Sequence, residues 1–264
     1  MNPLPTWLIG VILATAISAV AYRARALSAG GALAATIVGT AAMAAGWSWG
    51  IVLIAYFVSA SLLSRFRATE RETRVAGRIE KAGARDATQV LANGGIFTLV
   101  ALGFRLSPDP IWQALASGAL AASAADTWAT EIGTLASATP RSILDWQPVD
   151  TGTSGGVTAQ GFAAAIAGAA FIALVTWLVR WPPIATFAAL IGGVMGCLLD
   201  SVVGASLQAR RWCATCDAAT EQRVHRCGST TTVTGGIRWL DNDGVNAIST
   251  IGGALFGATA ASYF

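Results

Sequence analysis

Long apolar stretches separated by polar breaks run through the whole chain. Eight apolar segments can be drawn, at about 5–22, 28–45, 48–64, 89–106, 111–128, 157–179, 184–207 and 244–263. Most lie near the ~20 residues that a helix needs to cross a hydrocarbon core. A backbone in lipid must satisfy its own hydrogen bonds, so segments this apolar predict helices. The breaks alternate in length: those at 46–47, 107–110 and around Trp181-Pro182-Pro183 are short, and those at 65–88, 129–156 and 208–243 are long. The pattern predicts an all-α integral membrane protein, a single polytopic domain over 1–264 with about eight transmembrane helices.

Composition agrees. Apolar residues make up 54% of the chain and charged ones only 12%, too few polar groups to cover a water-facing surface. The 29 glycines, with abundant Ala, Ser and Thr, suit helices whose backbones approach closely in a bilayer. Charge distribution then sets an orientation. Fifteen of the seventeen Lys and Arg residues fall in 23–27, 65–88, 129–156 and 208–243, and only Arg105 and Arg180 fall on the other side. That bias predicts a multi-pass protein of the cytoplasmic (inner) membrane with its N-terminus outside and its long loops in the cytoplasm. The leading MNPLPTW has no basic residue, while Arg23 and Arg25 follow the first segment, so this segment reads as a retained span and not a cleaved signal. Arg65 to Arg85 mixes both charge signs and reads either as a solvated amphipathic surface helix or as a topogenic basic loop. Two echoes, 27–39 with 152–168 and 85–95 with 241–253, would relate the halves as two parallel four-helix repeats.

The unusual residues sit in the long loops and at their edges. Asp126 and Glu131 end one apolar run, and Gly152-Thr153-Ser154-Gly155-Gly156 opens the next. Carboxylates can hold a divalent cation, and a glycine-rich helix start offers unpaired N–H groups to phosphate. Asp200, within GCLLDSVVGASLQ, is a third acid near a helix end, where it opposes the dipole and needs a positive partner. Asp126 and Glu131 stand about 140° apart on an ideal helix, so either the helix has ended or they serve different partners. Arg85, Gln89 and Asn93 at one helix start, and Asp241, Asn242, Asp243 and Asn246 at another, would complete a cup. Ser28 to Gly31 reads better as a cap with small-residue packing. A second cluster, Cys213, Cys216, His225 and Cys227 in the loop 209–234 between the last two segments, offers four soft ligands for a structural zinc. His225 is the sole histidine, which argues against any mechanism needing a histidine base.

RDATQVLANGG, AADTWATEIG, GTSGGVT, GCLLDSVVGASLQ, the CxxC…HxC loop and WLDNDGVNAIST, taken in this order, resemble the phytyl-phosphate kinase family of integral membrane proteins. The resemblance spans nearly the whole chain. A more distant likeness, in the acid-then-Gly/Ser layout, is to the CTP-using polyprenol kinases. It implies an enzyme that transfers a phosphoryl group from a nucleoside triphosphate, CTP being the expected donor, to an isoprenyl monophosphate. A phosphate monoester dianion is already a nucleophile, so positioning and charge neutralisation suffice. On this reading Asp126, Glu131 and Asp200 bind magnesium, Thr153 to Gly156 cradle nucleotide phosphates, and Arg85, Gln89 and Asn93 hold the acceptor. The expected partners are the nucleotide, the lipid phosphate and the bilayer, with no nucleic acid; the chain could also form a homo-oligomer. Rival readings are an ion-coupled transporter, a lipid-phosphate cytidylyltransferase, and a membrane scaffold whose zinc loop binds a partner.

Overall fold

The computed structural model describes residues 6–75, 78, 83–261 and 263. Its helices are α1 (Thr6–Arg23), α2 (Ala29–Ala45), α3 (Trp47–Arg65), α4 (Ala68–Arg74), α5 (Ala87–Leu106), α6 (Pro110–Gly133), α7 (Ala159–Leu178), α8 (Pro183–Leu207) and α9 (Asn242–Ala261). Eight of these lie on the eight apolar segments; α4, with seven residues, is the addition. Among the described residues α3, α5, α7 and α8 are long and apolar enough to cross a membrane.

The protein is mostly helical, but not all-α. The connection after α6 folds back on itself through β1 (Arg141–Ser142) and β2 (Gly156–Val157), which pair antiparallel. The connection after α8 forms a three-stranded sheet from β3 (Arg210–Cys213), β4 (Ala218–Thr220) and β5 (Thr232–Gly235), with β3 in the middle. These strands have two to four residues each, too short to leave a period in the sequence. Within Arg65 to Arg85, helix is described only over α4; residues 76–77 and 79–82 lie outside the described residues.

Local chemistry sets the helix starts. Ser28 caps α2 by accepting from Gly31 N, and Thr158 caps α7 by accepting from Gly161 N. Asp86 and Gln89 form a reciprocal capping box at α5. Asp109 caps α6, with Pro110 as the first helical residue, where a missing N–H costs nothing. Each cap of this kind contributes about 1 kcal/mol.

Packing is centred on α6. Ala114 and every residue from Ala116 to Ala125 are buried, because α7, α8 and α9 enclose this helix on several sides and α3 and α5 complete the ring. The side chains there are small, so backbones nearly touch. A Cβ on Gly118 would lie 2.3 Å from the Gly253 carbonyl oxygen, and one on Gly192 would lie 2.3 Å from that same oxygen. Three helices therefore meet at one glycine junction, α6 through Gly118, α8 through Gly192 and α9 through Gly253. At the end with the short connections, the Trp49 ring packs against Phe97, Phe104 and Trp181, with centroids 4.8 to 5.5 Å away. Trp181 Nε1 donates to Ser48 Oγ at 2.9 Å. This end is pinned by large rings, and the opposite end carries the loops.

Candidate functional site

The buried alanine run of α6 stops at Asp126, the first residue of that stretch with exposed surface. It stops there because a cavity of about 540 Å³ begins. The end of α6, the end of α8, the start of α5, the turn before α7 and the start of α9 wall this cavity. Of the residues singled out in the sequence, Arg85, Gln89, Asn93, Asp126, Glu131, Thr153, Ser154, Gly155, Gly156, Asp200, Asn242 and Asn246 all line it.

The Asp126 and Asp200 carboxyl groups meet at hydrogen-bonding reach. Asp200 Oδ2 is buried without a hydrogen-bond partner. Two carboxyl groups in contact repel when both are ionised, so they need a shared proton or a cation. Two carboxyl groups in contact, one with a buried oxygen left unpartnered, make a donor set that suits a hard divalent cation.

Glu131 has other company. α6 continues past it to Gly133, so the angular offset along the helix separates the two acids as expected. Glu131 Oε1 accepts from Ser64 Oγ at 2.6 Å, and Oε2 is ion-paired with Arg71 of α4. Both oxygens are thus taken by side chains of the α3–α4 corner, not held ready for magnesium. Arg85 NH2 reaches the same corner, donating to Ser64 Oγ at 3.1 Å and less closely to Ala60 O at 3.4 Å. Its backbone bridges Leu27, and a Cβ on Gly31 would sit 2.1 Å from Arg85 O. That glycine is therefore needed for α2 to approach the Arg85 backbone, which fits its reading as a packing contact.

The glycine-rich turn is held against α8. Gly152 and Gly155 have φ of +86° and +76°, a backbone region that glycine enters without strain. A Cβ on Gly155 would lie 2.3 Å from Ala205 Cβ and 2.6 Å from Ser201 O. Gly204, on the same face of α8, leaves room for the turn, its own added Cβ falling 3.4 Å from Ser154 Cβ. The turn therefore lies one helical turn beyond Asp200, on the same cavity wall.

Two expected members stand elsewhere. Asp241 and Asp243 are not in the cavity wall. Asp241 Oδ1 accepts from Gly244 N and Oδ2 pairs with Arg223, so it caps α9 and anchors the preceding loop. Asp243 Oδ2 accepts from Thr88 Oγ1 at 2.8 Å, tying α9 to α5. Four polar residues within six positions of a helix start cannot all face one way, and here the two amides line the cavity while the two acids fasten its rim.

The sequence reading missed Glu221. It lies just after β4, lines the cavity, and accepts from Ser154 Oγ at 2.5 Å. Its backbone N–H donates to Arg78 O, while the Arg78 guanidinium pairs with Asp150 at 2.8 Å. All three long loops converge through these bonds. Arg25, Ser64, Arg71 and Thr127 also line the cavity without having been singled out. Nothing in their local sequence distinguishes them from other polar residues near the helix ends.

The Cys213, Cys216, His225 and Cys227 ligand atoms all lie within 4.8 Å of one another, a cluster that could hold a metal ion. Cys213 sits at the end of β3 and Cys227 beyond β4, their sulfurs 3.6 Å apart. Hydrogen bonding to Ser229, then to His225, draws the Cys227 thiol down to about 5. Its contact with Cys227 pushes Cys216 up to about 11.

Comparison with known proteins places these features in a family. Residues 12–254 match the integral membrane protein family DUF92. The chain is 30% identical to Protein PGR of Arabidopsis thaliana over 90% of each protein. It is 27% identical to an uncharacterized membrane protein of Methanocaldococcus jannaschii, over 97% of this chain and 95% of that one. A Synechocystis membrane protein is 30% identical over 94% of this chain and 88% of its own. No solved structure matches. With the match running from the first helix to the last, this chain belongs to the DUF92 family of integral membrane proteins.

Proposed function

We propose that this protein is a lipid-phosphate kinase that transfers a phosphoryl group from a nucleoside triphosphate, CTP by resemblance, to an isoprenyl monophosphate. The observation that carries this reading is the composition of the cavity. Two meeting carboxyl groups, a turn of glycines and hydroxyls, and four arginines (Arg25, Arg65, Arg71 and Arg85) share one space. Phosphate-rich ligands need donors and positive charge, and paired acids beside them suit a bridging metal.

In this reading Arg85, Gln89 and Asn93 bind the acceptor phosphate. Thr153 to Gly156 orient the nucleotide phosphates, and Asn242 and Asn246 close the rim. An acceptor oxygen attacks the terminal phosphorus, the bond to the bridging oxygen breaks, and the nucleoside diphosphate leaves with that electron pair. Asp126 and Asp200 would hold magnesium, whose charge, when bound, neutralises phosphate oxygens. Glu131 instead fixes Arg71 in the wall. A zinc ion at Cys213, Cys216, His225 and Cys227 would be structural, holding the loop that presents Glu221. Fifteen of the seventeen basic residues lie in the loops of the cavity end, which supports a site facing the cytoplasm and an N-terminus outside.

The test is direct. Purified protein is incubated with magnesium, isoprenyl monophosphates and each common nucleoside triphosphate, and products are resolved by mass. Prenyl diphosphate with nucleoside diphosphate supports the kinase. Release of pyrophosphate with a nucleotidyl lipid would make it a cytidylyltransferase, and no turnover with any pair sinks the enzyme reading.

A further inference from the structure

A second cavity, of about 170 Å³, lies beside the first and is almost wholly apolar. Leu13 and Ile17 of α1 form one wall, Val38 of α2 the floor, and Ile51, Ile54 and Phe57 of α3 the other wall. Leu13, Ile17, Ile51 and Ile54 are exposed, so the groove faces outward along its length, toward the space that lipid would occupy. An outward apolar groove alone says little, because bilayer lipid would fill it. Its mouth carries the argument: Arg85, Gln89 and Asn93 line both this groove and the polar cavity. A single ligand could therefore keep a charged head among these residues and lay an apolar tail along α2 without leaving the protein surface.

We infer that the groove between α1 and α3 is the binding site for the tail of a single-chain lipid monophosphate whose phosphate sits at Arg85, Gln89 and Asn93. This deepens, and rests on, the lipid-phosphate reading of the polar cavity. The occupant has a definite length. The groove runs from the Arg85 contact at Ala60 to Trp47, about 20 Å along α3 at the rise of an α-helix. At its far end Met43 fills the space between α1 and α3. A Cβ on Gly10 would lie 2.6 Å from Met43 Cβ, and one on Gly50 would lie 2.5 Å from its sulfur. Met43 is thus a stop seated between two glycines, and long polyprenyl chains would overrun it.

The experiment measures binding without nucleotide, so it reads the groove whether or not phosphoryl transfer occurs. Detergent-solubilised protein is titrated with farnesyl, geranylgeranyl and long-chain polyprenyl monophosphates, and with geranylgeraniol as the headless control. Wild type should bind geranylgeranyl monophosphate at least tenfold more tightly than the farnesyl or the long-chain compound. Ala35→Trp, which places an indole in the groove, should reduce that preference at least tenfold, and Met43→Ala should move it toward longer chains. Leu174→Trp, on the exposed face of α7, should leave it unchanged. A photoreactive group at the tail end should label wild-type α1 or α3 near Trp47, which keeps the test valid if a variant misfolds. Labelling confined to other helices, or equal binding of all chain lengths, overturns the groove. Groove labelling without prenyl diphosphate formation would overturn the kinase reading and leave the groove standing.

Discussion

Asp126 and Asp200 meet eight residues beyond the point where their helices touch, at Gly118 on α6 and Gly192 on α8. Both helices run in the same direction, so equal steps of about 12 Å from the glycine contact bring the two acids to the same depth. The pairing of the acids is therefore a product of backbone packing well inside the helix bundle.

Neutralising either acid should remove activity and spare the fold. Asp126→Asn or Asp200→Asn is expected to lower phosphoryl transfer by at least about a hundredfold, the scale of losing one preorganised electrostatic group. Melting temperature should hold, because an amide relieves the like-charge contact. Full turnover in Asp126→Asn would mean that the paired acids are not the metal site.

Glu131→Gln should do the opposite. Its side chain and that of Arg71 are each only 14% exposed, so the variant leaves a nearly buried guanidinium without its counter-charge. The expected cost is roughly 3 kcal/mol, read as a lower denaturation temperature with a smaller fall in rate than Asp126→Asn. A rate collapse with unchanged stability would return Glu131 to the metal site.

Gly155→Ala tests the turn. The added methyl meets Ala205 and Ser201 O at a φ of +76°, so the turn must leave α8 or strain. Nucleotide KM should rise several-fold while the melting temperature drops by a few degrees. Gly95→Ala has open space around its Cβ and serves as the silent control. Equal behaviour of the two variants would remove the turn from the nucleotide site.

Metal analysis of the purified protein should find about one zinc per chain at the Cys/His cluster. Cys216→Ser should lose it, and strong chelation of wild type should loosen β3 and β4 and reduce turnover through Glu221 and Ser154. Retained metal in Cys216→Ser, or full stability after complete metal removal, would exclude a structural ion there.

The sequence carried the helices and most of the cavity wall because both follow from local signals. Apolar run length located all eight long helices, and the polar and glycine-rich residues at Arg85 to Asn93, Gly152 to Gly156 and Asp241 to Asn246 marked three of their starts. Glu221 was illegible because its role depends on β3 and β4 swinging the Cys/His loop back over Ser154, a long-range fold with no periodic trace. Asp241 and Asp243 misled for the complementary reason. Four polar residues at a helix start look alike in sequence, and only the neighbours Arg223 and Thr88 decide which of them turn away from the cavity. The two small sheets escaped notice because strands of two to four residues leave no period.

The glycine junction also governs how the protein answers its bilayer. Helices that touch backbone to backbone at Gly118, Gly192 and Gly253 cannot shear past one another without driving a carbonyl oxygen into a Cα. When membrane thickness changes, helices adapt by tilting or sliding, and sliding is barred here. α6, α8 and α9 must lean together, so thinner or thicker lipid should reorient the paired acids as one body and leave their separation intact.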